Sequence, residues 1–150
     1  MKGMRNRKYI IILLRYDYEE CDGPSAQKMM DHLQNLVDSK DLLGKKFKGD
    51  SKEFVVSKMD NFEYVDPIDK SVTKKQGIRI FFEDGSRIVF RLSGTGSSGA
   101  TVRMYVDAYE SEKENYFKEA GEMLRPCILV ALQISKLKEF TDRDEPTVIT

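Results

Sequence analysis

The chain has 150 residues, 40% of them apolar and 33% charged, enough for one hydrophobic core and far from the bias of a disordered segment. Its 25 basic and 25 acidic side chains cancel, so no net field draws it to nucleic acid or to a membrane surface. Cys21 and Cys127 stand far apart without metal-ligand spacing, which points to a reduced cytosolic pair rather than a disulfide.

The opening "MKGMRNRKYIIILLRYDYEE" places a basic segment before an apolar run, as a secretory signal does. The run Tyr9 to Leu14 is too short for a signal or a membrane span, and Arg15 follows with no small-residue cleavage site. A buried strand is the expectation for so short a β-branched run, and the cytoplasm is the expected location. Asp17, Glu19 and Glu20 then read as a solvated turn. After the Gly23-Pro24 break, Met29, Leu33, Leu36 and Val37 recur at helical spacing, with Met30 beside them. This predicts an amphipathic helix from about Ser25 to Ser39, with Pro24 in its first turn. His32, the only histidine, lies on that helix without a second ligand, so no metal or catalytic role is expected of it.

Gly44 and Gly49 mark a turn region. "EFVVSKM" reads as a strand, Asp60-Asn61 as a turn, "FEYV" as a second strand and "DPIDKSVTKKQG" as a polar loop, whose Lys70, Lys74 and Lys75 form a solvated patch. "IRIFFE", Asp84-Gly85 and "SRIVFRL" form a hairpin signal, because Asp-Gly supplies the positive φ angles of a tight turn. Beyond it, Val102, Met104, Val106 and Ala108 alternate with Arg103, Tyr105, Asp107 and Tyr109. Helix is predicted from about Lys113 to Glu139, with Phe117, Leu124, Ile128, Ala131 and Leu132 as its apolar face. Pro126 is expected to kink it or to begin a new segment. "RPCILVALQI" is apolar enough for core, with part of it available to a neighbouring domain, and the tail "TDRDEPTVIT" reads as irregular. The predicted class is α+β: an antiparallel sheet with hairpin connections, covered on one face by two helices.

The stretch "FRLSGTGSSGATVRMY" carries the functional signal. Arg91 is out of phase with Ile88, Phe90 and Leu92, and Arg103 with Val102 and Met104, so both leave the core side. Closure of the loop near Ser97 sets the two arginines opposite or nearly opposite each other, a repulsive arrangement that an anion between them reverses. Gly94, Gly96 and Gly99 permit backbone turned toward a ligand, Ser93, Thr95, Ser97 and Ser98 add hydroxyl donors, and both guanidinium forks match phosphate oxygens. The stretch therefore reads as a phosphate cradle, with a plain flexible connector as the competing account. No Gly-Lys-[Ser/Thr] and no helix follow, so it is neither a nucleotide P-loop nor a dinucleotide fingerprint.

"DGSRIVFRLSGTGSSGATVRMYVDAYE" resembles the last domain of the phosphoglucomutases, in the α-D-phosphohexomutase superfamily. "RYDYEE", "DNFEYVDPIDKSVTKKQGIRIFF" and "PTVIT" extend the resemblance over about Arg15 to Thr150, while residues 1–14 depart from it as an extension or added strand. The resemblance implies an antiparallel sheet with two flanking helices, likened to the TATA-box-binding fold. It also implies that Arg91, Ser93, Gly94, Thr95, Gly96 and Arg103 hold the non-reacting phosphate of a sugar phosphate. The implied ligands are glucose 1-phosphate, glucose 6-phosphate and glucose 1,6-bisphosphate. For the full-length family enzyme it further implies Mg2+, the remaining family domains as partners and a phosphoserine in a Thr-Ala-Ser-His setting. This chain contains neither that stretch nor the Asp-Gly-Asp-Gly-Asp metal loop, so no catalytic and no metal residue is expected in it. The alternative is a stand-alone module that binds sugar phosphates or a protein partner without turnover.

Overall fold

In the computed structural model, residues 10–50, 52–65, 72–96, 99–110 and 119–150 are described. The elements run β1 (Ile10–Cys21), α1 (Gly23–Ser39), β2 (Lys46–Gly49), β3 (Lys52–Val65), β4 (Val72–Phe82), β5 (Arg87–Gly96), β6 (Gly99–Glu110), α2 (Ala120–Ser135), α3 (Leu137–Thr141) and β7 (Val148–Ile149). The strands pair antiparallel throughout, in the order β2-β3-β4-β5-β6-β1-β7.

Period-two alternation decides the two faces. Ile78 and Ile80, Ile88 and Phe90, and Val102, Met104 and Val106 are buried under the helices, as their spacing predicts. α1 contributes Ala26, Met29 and Leu33, and α2 contributes Leu124, Cys127, Val130, Ala131 and Ile134. His32 joins the two helices: its Nε2 donates to the Ile134 carbonyl at 2.9 Å, and its ring leans on Phe140. Burial raises the thiol of Cys21 and pushes that of Cys127 up to about 12, so both free cysteines remain protonated packing groups near neutral pH. Among the described residues no helix is long and apolar enough to cross a membrane.

Several local expectations are corrected. The N-terminal run is a strand, yet only alternate residues are covered: Ile12 is 8% exposed while Ile11 and Leu13 are 63% and 58% exposed. β3 passes unbroken through Asp60-Asn61, because the polar side chains that resemble a turn bond to neighbouring elements instead of to their own backbone. Asp60 takes two 2.7 Å hydrogen bonds from Arg79 on β4, and Asn61 Nδ2 donates to Gln34 Oε1 on α1. The supposed polar loop is strand from Val72 onward, and residues 66–71 lie outside the described residues. At the β4–β5 hairpin only Gly85 has positive φ, +92°, since the turn is a three-residue one over Glu83-Asp84-Gly85.

The helices differ from expectation at their ends. α1 begins at Gly23, where the Asp22 carboxylate accepts from Ser25 N at 3.1 Å and Oγ at 2.8 Å, and its end is closed by left-handed Lys40. α2 continues through Pro126 and breaks at left-handed Lys136 instead. Pro126 removes one backbone hydrogen bond, that to the Glu122 carbonyl, and the surrounding packing carries the loss. Consecutive strands β2 to β6 pair antiparallel, the β4–β5 and β5–β6 hairpins as predicted and β2–β3 where only a turn region was expected, but helices also cross the sheet: α1 carries the chain from β1 to the far edge, and α2–α3 carry it over β1 to β7. The tail is irregular over most of its length, as expected, but Val148–Ile149 form a short edge strand, with bonds to β1 at Thr147 N–Asp17 O (2.7 Å) and twice between Arg15 and Thr150.

The Asp60–Arg79 pair has a consequence in acid. The two hydrogen bonds from Arg79 hold the Asp60 carboxyl below its usual range against opposition from burial. A lowered folded-state value makes the contribution complete above the unfolded value near 4 and lost as pH falls through the folded value. Asp60→Asn is expected to lose about 1 kcal/mol at pH 7, with the difference from the parent closing toward pH 2. Urea midpoints across pH measure it; a gap that stays constant refutes the assignment.

Candidate functional site

β5 and β6 meet with Arg91 directly opposite Arg103 and Ser93 opposite Thr101. All four leave the helix-covered face, because Phe90, Val102 and Met104 between them point into the core. The like-charged cross-strand pair expected from parity is thus present. Arg91 is exposed, and the Arg103 side chain is 38% exposed. The register then slips by one residue between Ser93 and Gly96, so the β5 limb holds an extra residue near Gly94 and Thr95 before Gly96 pairs with Gly99. Gly94, Thr95 and Gly96 are described here by their backbone alone, and Ser97 and Ser98 lie outside the described residues.

The hairpin root is braced by elements far away in sequence. Gly99 has φ +99°, and a Cβ there would come within 3.3 Å of the Cys21 carbonyl oxygen and Glu20 Cα. Glycine is required both for the left-handed backbone and for this close approach. The facing segment of β1 is itself irregular between Tyr18 and Cys21, with Glu20 at φ +56°. The tail holds this bend: Arg143 Nη2 donates to the Glu20 carbonyl at 2.8 Å and Glu19 N donates to Thr147 Oγ1 at 3.0 Å.

Asp17 corrects the reading of the acidic stretch as a solvated turn. It lies within β1, paired in register with Arg103, and is only 4% exposed. Across β5, β6 and β1 the order on one level is therefore Arg91, Arg103, Asp17, and Arg15 stands two residues along on the same face. Arg15 Nε and Arg103 Nε approach the same Asp17 Oδ1, at 3.1 and 3.6 Å. Three guanidinium groups thus share this face of the sheet with the Asp17 carboxylate, an arrangement whose positive charge favours an anion. Composition could not find Asp17 and Arg15, but the parity of Tyr16 and Tyr18, both buried, marks Arg-x-Asp as the opposite face.

The remaining polar clusters do not compete with this one. Among the described residues no group of three His, Cys, Asp or Glu side chains converges as a metal site requires. The cleft between α1 and the sheet, lined by Gln27, Asp31, Gln34, Asn61 and Leu92, opens on the helix side and is not bordered by either arginine. Lys70 lies outside the described residues, and the side chains of Lys74 and Lys75 are not described.

A family model described as "Phosphoglucomutase-1, C-terminal domain" matches residues 7–147. The chain is 54% identical over 136 residues to phosphoglucomutase 1 of Drosophila melanogaster and 51% identical to phosphoglucomutase-1 of Homo sapiens, covering 91% of this chain and 24% of each relative. The chain thus spans about a quarter of the length of these relatives. The crystal structure of the Paramecium phosphoprotein parafusin, a phosphoglucomutase in its open form, superposes with a TM-score of 0.73 at 44% identity, over 94% of this chain and 23% of that one.

Proposed function

Because the chain belongs to the family of phosphoglucomutase C-terminal domains, we propose that its glycine-rich hairpin holds the non-reacting phosphate of a sugar phosphate. The observation that carries this reading is the direct cross-strand pairing of Arg91 with Arg103 at the base of that hairpin. Like charges so placed oppose each other, an anion between them turns that opposition into attraction, and each guanidinium fork can donate paired hydrogen bonds to its oxygens. Backbone N–H groups of Gly94 to Gly96 and the Ser93 and Thr95 hydroxyls complete the donor set in this reading. Such a cradle reads phosphate geometry and ignores which sugar carbon bears it. Glucose 1-phosphate, glucose 6-phosphate and either end of glucose 1,6-bisphosphate therefore fit the same donors.

In this reading the chemistry belongs to other domains of the family enzyme and this chain supplies binding and orientation. It has no Thr-Ala-Ser-His stretch, and neither cysteine is an activated nucleophile. Among the described residues no group of three His, Cys, Asp or Glu side chains converges to hold Mg2+. The setting is the cytoplasm, where the free thiols of Cys21 and Cys127 stay reduced.

The test is an NMR titration of the ¹⁵N-labelled chain. Glucose 1-phosphate and glucose 6-phosphate are each expected to shift the amides of Gly94, Gly96 and Gly99 saturably at millimolar concentration, while glucose does not. Unmoved hairpin amides in both titrations refute the phosphate reading. Interconversion of the two esters by this chain with Mg2+ and glucose 1,6-bisphosphate refutes the claim that it only binds.

A further inference from the structure

We propose that Asp17 is a positioning residue of this anion site: it holds Arg103 through Nε so that the terminal nitrogens of that guanidinium face the incoming phosphate. The inference rests on the phosphate reading of the hairpin and concerns a residue outside it. Asp17 is 4% exposed, and its own backbone is pinned, since its carbonyl accepts from Thr147 N at 2.7 Å. Its register partner is Arg103, whose register partner in turn is Arg91. A fixed carboxylate thus stands directly behind the arginine that faces its like-charged neighbour.

The contact has an unusual feature. Arg15 Nε, Arg103 Nε and Asp17 Oδ1 are all buried, yet none has a protein hydrogen-bond partner, although 3.1 and 3.6 Å separate the two nitrogens from that oxygen. One acceptor is shared between two donors and fully satisfies neither. Buried polar atoms left in that condition cost stability and are uncommon in folded proteins, which sets this cluster apart from ordinary surface ion pairs. The ion pair with Asp17 engages Nε, which leaves the terminal pair, the half of the fork that grips phosphate, outside it. Arg15, the nearer partner at 3.1 Å, helps neutralise the carboxylate while the terminal nitrogens of Arg103 serve the ligand. The carboxylate also offsets the repulsion between Arg91 and Arg103 in the absence of ligand.

The experiment follows glucose 1-phosphate binding to the full chain together with the arginine Nε–H signals. Asp17→Asn, with a native amide spectrum, is expected to weaken binding roughly five- to tenfold. In an Arg103→Ala background the same substitution should change affinity less than twofold, because a residue acting through Arg103 has nothing left to position. Asp17→Asn binding within twofold of the parent, or weakening binding equally in both backgrounds, overturns the proposal. Should Asp17→Asn fail to fold, the parent decides alone. Its Arg103 Nε–H is expected to exchange slowly with water and to shift when glucose 1-phosphate binds, and exchange as fast as that of free arginine overturns the assignment. A parent that binds no glucose 1-phosphate defeats the phosphate reading itself, whereas a binding parent with an unaffected Asp17→Asn variant defeats only the role of Asp17.

Discussion

Arg103→Ala is expected to weaken glucose 1-phosphate binding by roughly 1.5–3 kcal/mol, about ten- to 150-fold, the range for hydrogen bonds to a charged group. The fold should survive. The side chain is 38% exposed, and Asp17 keeps its nearer partner, Arg15, at 3.1 Å. The control is Arg87→Ala. Arg87 occupies the same sheet face and bonds Asp107 at 2.6 Å, away from the hairpin, so its loss should change affinity less than twofold. Calorimetric titration of both variants at two salt concentrations separates a specific contact from the general charge of the face. An Arg103→Ala protein that binds as tightly as the parent removes Arg103 from the site.

The largest stability effect is expected at Gly49, which is buried in β2 against the backbone of α2. A Cβ there would overlap the Pro126 carbonyl oxygen and come 2.8 Å from its carbon. Both partners are backbone, so no rotamer change relieves the clash, and α2 must move away from β2. That movement strains two links across the same joint, Gln133 Nε2 to the Lys48 carbonyl at 3.0 Å and Arg125 Nε to Asp50 Oδ2 at 3.1 Å. Gly49→Ala should cost about 3 kcal/mol or more. Gly121→Ala, in the first turn of α2 with no atom within 4 Å of the added carbon, should instead stabilise by roughly 0.5–1 kcal/mol. Urea denaturation of the two variants gives opposite shifts of the midpoint if the close approach at Gly49 governs. Equal shifts reject it.

The same contact shows why Pro126 stays inside α2 rather than beginning a new segment. A proline in a helical pattern signals a break, but its cost is a few kcal/mol of local backbone energy, and the burial of Cys127, Val130 and Ala131 just beyond it outweighs that. Asp60-Asn61 fails for a related reason. Turn-forming residues are identified by side chains that bond their own backbone, and here those side chains bond Arg79 and Gln34, which are distant in sequence.

Local periodicity determined what depends on local physics alone. Strand alternation separated Ile88 and Phe90 from Arg91, and helical spacing placed Met29 and Leu33 inward. Ordered motifs identified the family, and parity put both arginines on the face away from the core. Only the tertiary structure decided which strands are neighbours. It set β1 beside β6, which brings Asp17 and Arg15 to Arg103 across more than 80 residues of chain. It also made a short edge strand of the tail, bonded to β1. Pairing between strands is selected by packing summed over the whole sheet, and no single segment carries that information.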